Sequence, residues 1–189
     1  VVDGIYAAQV GIRIHVGSTF VYETPDPFTA TAAPDLLQQL AGYRRTTIAS
    51  RRLGLTHLMT GRELDDTTVG IAYLDTVCSL QSASLTEARA GKLSAALISL
   101  VAAHEIGHNF GAPHDGEAGK ACATISPGAY LMAPTLSTAN SQFSQCSLDV
   151  IAQRVAAAQC HSAVDQVDAE IIAPVATARH GIGVNYALT

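Results

Sequence analysis

The segment HEIGHNFGAPHD, residues 104–115, sets three histidines and two acidic residues into twelve positions of a chain that is only 14% charged. On a helix, His104 and His108 stand one turn apart on the same face, with about 6 Å between their Cβ atoms. Two imidazoles at that spacing can reach one metal ion at about 2.0–2.1 Å. Glu105 is rotated roughly 100° around the axis from His104, so it falls beside such an ion rather than on it. That place suits a base acting on water next to a metal. Three residues beyond His108, Gly111 is free to take a positive φ, end the helix and turn the chain back. Pro113 stiffens the return, and His114 arrives as a third ligand. Three protein ligands leave a fourth position open, as at a catalytic zinc; structural zinc sites are closed by four. With each residue type at about one in twenty, His104, Glu105, His108, Gly111, His114 and Asp115 coincide by chance on the order of 10⁻⁸ per start position.

A helix must carry the first two histidines, and the sequence supplies one. From Lys92 to about Phe110, Leu93, Ala96, Leu97, Leu100 and Val101 form an apolar stripe that His104 and His108 continue. Upstream, residues 10–24 alternate Ile12, Ile14 and Val16 with Arg13, His15 and Gly17, which predicts a strand. Residues 25–34 read as a loop by their prolines. Pro34 opens a helix carrying Leu36, Leu37 and Leu40, with Gly42 weakening its end. Residues 55–61 and 69–75 read as two more strands around the polar turn RELDD. Residues 111–146 are mostly loop. Ser147 is the expected cap of a last helix with Leu148, Ile151, Val155 and Ala158 on one face. Residues 161–189 read as a linker or tail, with one or two short strands in 171–189 and the edge of something further.

The 189 residues fit one domain, and 48% hydrophobic content is too high for disorder. A net charge of −5 argues against a nucleic-acid or anionic-membrane partner. The longest apolar run, residues 93–103, is too short to span a bilayer. The chain opens on Val1 with no leader-like segment and reads as a processed or excised piece. Cysteines 78, 122, 146 and 160 are far apart with no CxxC, so two disulfides in an oxidising compartment fit better than a thiolate metal site. Their spacing permits three pairings. His15, His57, His161 and His180 lack ligand spacing to the cluster and read as structural or surface groups.

HExxHxxGxxH resembles the pattern of the metzincin zinc endopeptidases. Asp115, directly after the third histidine, points to their adamalysin or reprolysin branch, the ADAM and snake-venom metalloproteinase type. AYLMAP (129–134) is similar to the family's methionine turn, which makes Met132 a flexible apolar floor under the imidazoles. LTHLMTG resembles the strand before the cleft, and VGIAYLDTVCS the upper-rim strand. The resemblance spans residues 3–160. It implies an α/β (α+β) fold: a mixed twisted sheet, an active-site helix and a mostly irregular C-terminal subdomain ending in a helix. Residues 1–160 are then a metzincin-like catalytic domain. It lacks the family's first strand, which is interior to the family's sheet, and most of its first helix; that loss should expose an edge, so either the sequence is truncated or the tail at 161–189 compensates. Tyr130 stands where many relatives carry a cysteine.

The resemblance implies one catalytic Zn²⁺ on His104, His108 and His114, with Glu105 as general base and Gly111, Asp115 and Met132 as structural support. Asp115 is expected to orient the chain after His114 or to bond the methionine turn. Gly70, Ile71 and Ala72 would form the substrate rim by strand addition, and Ala133 and Pro134 the wall of the pocket after the cut bond. The implied disulfides are Cys78–Cys160 and Cys122–Cys146. The resemblance leaves room for a structural Ca²⁺, though no acidic loop of EF-hand type indicates one. The expectation is a secreted, monomeric zinc endopeptidase acting on protein or peptide substrates. The alternative is a catalytically silent adhesion or binding module. Such relatives usually lose the glutamate or a histidine, and this chain keeps all four residues.

Overall fold

A computed structural model describes residues 1–23 and 25–161 and the backbone of 182–188. The remaining tail residues of the expected linker, His180 among them, lie outside the described residues. Among the described residues five strands form one mixed sheet: β1 (Ile14–Val21), β2 (Leu55–Thr60), β3 (Gly70–Ala72), β4 (Ala83–Glu87) and β5 (Ile182–Leu188). Their spatial order is β1-β5-β2-β4-β3. β2 and β4 run parallel, and β5 lies antiparallel to both β1 and β2. The tail strand therefore sits inside the sheet, and β1 is held to it only through β5 among the described residues.

Among the described residues five helices complete the fold: α1 (Val2–Gln9), α2 (Ala33–Thr46), α3 (Ile48–Arg51), α4 (Ala95–Asn109) and α5 (Gln145–Ala157). Between α4 and α5 the chain is irregular. The result is the mixed α/β architecture expected from the sequence. Successive residues of a strand face opposite sides of the sheet. On β2, Leu55 joins the core around Ile106 and Phe110 of the α4 side, whereas Leu58 joins that of Leu36, Leu37 and Leu40 on α2. So α4 and α2 cover opposite faces.

Several boundaries differ from the sequence reading. The first strand begins at Ile14 because Gly11, at φ +80°, turns the chain out of α1 and Asp3 accepts the Ile14 N–H at 2.9 Å. α2 runs on through Gly42 to Thr46. The Arg44 side chain reaches across to the carbonyls of Ser50 (2.7 Å) and Leu53 (2.6 Å), which fixes that last turn. The rim strand stops at Ala72, not residue 75: Asp75 takes φ +59° and donates its N–H to His108 O at 2.8 Å, docking on the end of α4. Strand β4 has no apolar alternation and was not visible in the pattern. All five of its residues are buried between β2 and β3. The last helix is capped by Ser144 rather than Ser147; the Ser144 hydroxyl accepts from Ser147 N at 3.1 Å.

Candidate active site

Helix α4 is capped by Ser94, whose side chain accepts the Leu97 N–H at 3.2 Å, and from Leu100 to Asn109 all its residues but the half-buried His108 are buried. The helix is fixed in its middle and at its C-terminal end. Tyr6 of α1 donates its hydroxyl to Ala103 O at 2.9 Å. Asn109 donates its amide to Tyr73 O and Ala83 O at 2.9 and 3.0 Å, tying the histidine end to the sheet. Gly111, at φ +92°, follows the helix and turns the chain back. His114 is thereby returned over the two helical histidines.

The Nε2 atoms of His104 and His108 each lie 3.2 Å from that of His114. Two ligands on a tetrahedral zinc at ~2.05 Å stand about 3.3 Å apart, so the set fits one such ion. Each helical imidazole has its other nitrogen occupied. His104 Nδ1 lies 2.6 Å from Leu131 O, and His108 Nδ1 lies 2.7 Å from Ala112 O. A carbonyl can only accept, so Nδ1 carries the proton and Nε2 presents its lone pair to the centre. Burial lowers the pKa of His104 to about 3 and that of His108 to about 4, and also lowers that of His114. All three are neutral at neutral pH, which is the form that binds metal. Among the described residues this is the one cluster of three potential metal-ligating side chains.

Glu105 is not part of the three-histidine group. It is 5% exposed, and burial raises its pKa well above the ordinary carboxylate range. It lines two cavities at once. One, of about 470 Å³, lies between Leu97 and Val101 of α4 and the Ala133–Leu136 segment. The other, of about 300 Å³, lies beside Ile71, Ala72, His108 and Glu117. Gly70 borders both. The backbone of Gly70–Ala72 pairs with β4 on one side. As the last strand in the sheet order, β3 has its other edge unpaired among the described residues.

The supporting residues sit beneath. Met132 is fully buried. A Cβ at Gly107 would lie 2.8 Å from Met132 Sδ, so the thioether packs on the bare backbone between the two histidines. Asp115 does two jobs. Its N–H donates to Met132 O at 2.9 Å, and its carboxylate accepts the Ser144 hydroxyl at 2.8 Å. The first helical turn of α5 thus holds the residue after His114. The structure joins Cys78 to Cys160 and Cys122 to Cys146, the latter linking the loop after His114 to α5. His15 and His161 are exposed away from the cluster, and buried His57 bonds Ser84 Oγ at 2.8 Å.

Gly107 and Ser144 escaped the sequence reading. A glycine inside a helix costs about 1 kcal/mol relative to alanine, and that cost was the available signal for Gly107. Ser144 carried none, because its partner Asp115 is 29 residues away.

A reprolysin family model, described as Metallo-peptidase family M12, matches residues 1–144. The chain is 38% identical over 120 residues to the zinc metalloproteinase-disintegrin-like brevilysin H2a of Gloydius brevicauda, covering 62% of this chain and 27% of that protein. It is 30% identical over 146 residues to the hemorrhagic metalloproteinase-disintegrin-like kaouthiagin of Naja kaouthia, covering 76% of this chain and 33% of that protein. The chain thus spans about a quarter to a third of the length of these curated relatives. Family match and fold agree: this chain belongs to the reprolysin branch of metallopeptidase family M12.

Proposed function

We propose that this chain, with the site carried by residues 1–160 and the sheet completed by β5, is the catalytic unit of a zinc-dependent endopeptidase that hydrolyses peptide bonds of extracellular proteins. The observation that supports it most is the convergence of three neutral imidazoles, with His114 Nε2 3.2 Å from the Nε2 atoms of both His104 and His108, and a buried carboxylate beside them where two cavities meet. His104, His108 and His114 hold the ion. Bound there, zinc supplies Lewis acidity that polarises the scissile carbonyl and eases deprotonation of water.

Glu105 takes the proton from the attacking water as its oxygen bonds to the carbonyl carbon, then passes it to the nitrogen as the C–N bond breaks. Burial makes this carboxylate a stronger base than an exposed one. An extended substrate pairs with the free edge of Gly70–Ala72, as strand addition requires. The residue after the cut bond enters the 470 Å³ cavity, whose Leu97, Val101, Ala133 and Pro134 walls favour an apolar side chain. Two disulfides fit an oxidising, extracellular setting. No described helix is long and apolar enough to cross a membrane.

The test is cleavage of a fluorogenic peptide by the zinc-loaded chain, with and without a chelator. The expected result is chelator-sensitive cleavage that returns on adding zinc. In Glu105→Gln, zinc content is expected to stay at one per chain while turnover falls at least 10²-fold. A chain that holds zinc and cleaves nothing would instead be a binding module.

A further inference from the structure

The chain's charge is unevenly spread. Five of its 11 cations, and none of its 16 acidic residues, fall in the 27 residues from Leu36 to Arg62. All five are arginines: Arg44, Arg45, Arg51, Arg52 and Arg62. Arg62 is paired with Asp26 at 3.0 Å. Arg45, Arg51 and Arg52 are exposed, and none takes part in an ion pair among the described residues, unlike Arg13, Arg89 and Arg154. Their charge therefore faces solvent uncompensated.

The local backbone under them is built, not loose. Arg44 is fully buried, and its guanidinium bonds Ser50 O (2.7 Å), Leu53 O (2.6 Å), Ser79 O (3.0 Å) and Thr56 Oγ1 (3.0 Å). No carboxylate is among its partners. The buried head thus fastens residues 50 and 53 to the last turn of α2, beside Arg45 on one side and beside Arg51 and Arg52 on the other. It also adds a fourth positive charge beneath the surface. The Ile48 side chain, 55% exposed, lies between them in the chain. α2 covers the face of the sheet opposite α4, so anything docked here leaves the histidine cluster open.

We infer that the end of the α2–α3 pair is a docking site for a sulfated polysaccharide, held by Arg45, Arg51 and Arg52. A guanidinium matches an oxyanion through a planar two-donor fork, which an ammonium lacks, and this patch is arginine throughout. The two disulfides argue for an oxidising compartment, whereas strongly anionic lipid belongs to the cytoplasmic leaflet. The overall negative charge does not decide the contact: none of the acidic residues lies in this segment, Arg45, Arg51 and Arg52 make no ion pair among the described residues, and fields are screened over about 8 Å at physiological salt.

The experiment is retention of the zinc-loaded full chain on immobilised heparin, with binding measured against salt. The expected result is elution above about 0.15 M salt and a log–log salt slope of roughly −2 to −3, the value for about three released counterions. Arg45→Gln/Arg51→Gln/Arg52→Gln should lose this retention while cleaving a small fluorogenic peptide at the parental rate with an unchanged Tm. The matching lysine triple should bind several-fold more weakly than the parent at the same charge. Arg13→Gln/Arg89→Gln/Arg154→Gln, which removes equal charge elsewhere, should remain retained. Co-elution of the Arg45/Arg51/Arg52 triple with the parent overturns the proposal. So does equal competition by polyglutamate, which would mark an acidic-peptide site. Binding to phosphatidylserine vesicles without heparin binding overturns it as well.

Discussion

Gly70 on the rim strand and Glu105 on the active-site helix occupy the same space: a Cβ on Gly70 would lie 2.9 Å from Glu105 Cδ and 2.8 Å from Val101 Cγ1. The missing side chain gives the carboxylate its place between the two cavities. Gly70→Ala is expected to displace Glu105 without touching the imidazoles. Steady-state kinetics on a fluorogenic peptide should show kcat/KM lower by about 10²-fold, the scale of a base misplaced by an ångström. Zinc content should be unchanged.

Gly107→Ala reverses the usual rule. In an ordinary helix interior the change stabilises by about 1 kcal/mol. Here the added methyl would meet Met132 Sδ at 2.8 Å and Phe143 Cε1 at 3.2 Å. Met132 O also accepts the N–H of Asp115, next to His114. Titration against a chromophoric chelator should show zinc affinity weakened roughly 10-fold, as for other residues that orient ligands.

Ser144→Ala removes a helix cap and a hydroxyl that donates to buried Asp115 at 2.8 Å. The cap contributes about 1 kcal/mol, and a hydrogen bond to a charged group about 1.5–3. Thermal unfolding should fall by roughly 5–15 °C for a chain of this size. An unchanged Tm would mean that Asp115 is held by other contacts.

Acid stability should depend on His57. Burial lowers its pKa to about 3, against about 6.5 in the unfolded chain. Above pH 6.5 neither state is protonated there and the group adds no pH dependence. Between pH 6.5 and about 3 the unfolded chain takes a proton that the fold refuses, so stability is lost as pH falls. The loss approaches 1.4 kcal/mol per pH unit for this one group. Denaturant unfolding at several pH values should give His57→Gln a shallower acid limb, because His104, His108 and His114 contribute equally in both proteins.

The twelve residues from His104 to Asp115 were legible because their geometry is local. Helical spacing places His104 and His108, and one glycine reverses the chain toward His114. Helix α4 was legible through its apolar stripe. β4 was not: in Ala83–Glu87 only Leu85 is a large apolar residue, and its burial comes from strands and helices elsewhere in the chain. The cap of α5 was misassigned because Ser144 and Ser147 are equally suitable in isolation. Asp115, distant in sequence, accepts from Ser144 at 2.8 Å and from Ser147 only at 3.4 Å. Gly42 read as a helix end because the bonds of Arg44 to the 50–53 loop are not a local pattern.

The position of β5 dictates an order of assembly. β1 meets the rest of the sheet only across Ile182–Leu188 among the described residues. On the ribosome, the pieces bearing β2, β3, β4 and the histidine helix emerge first, while β1 waits without a sheet neighbour. At ~5–20 residues per second that interval lasts roughly 10–30 s. During it the open flank of β2 is a template for wrong pairing, and the described sheet closes only once β5 has been made.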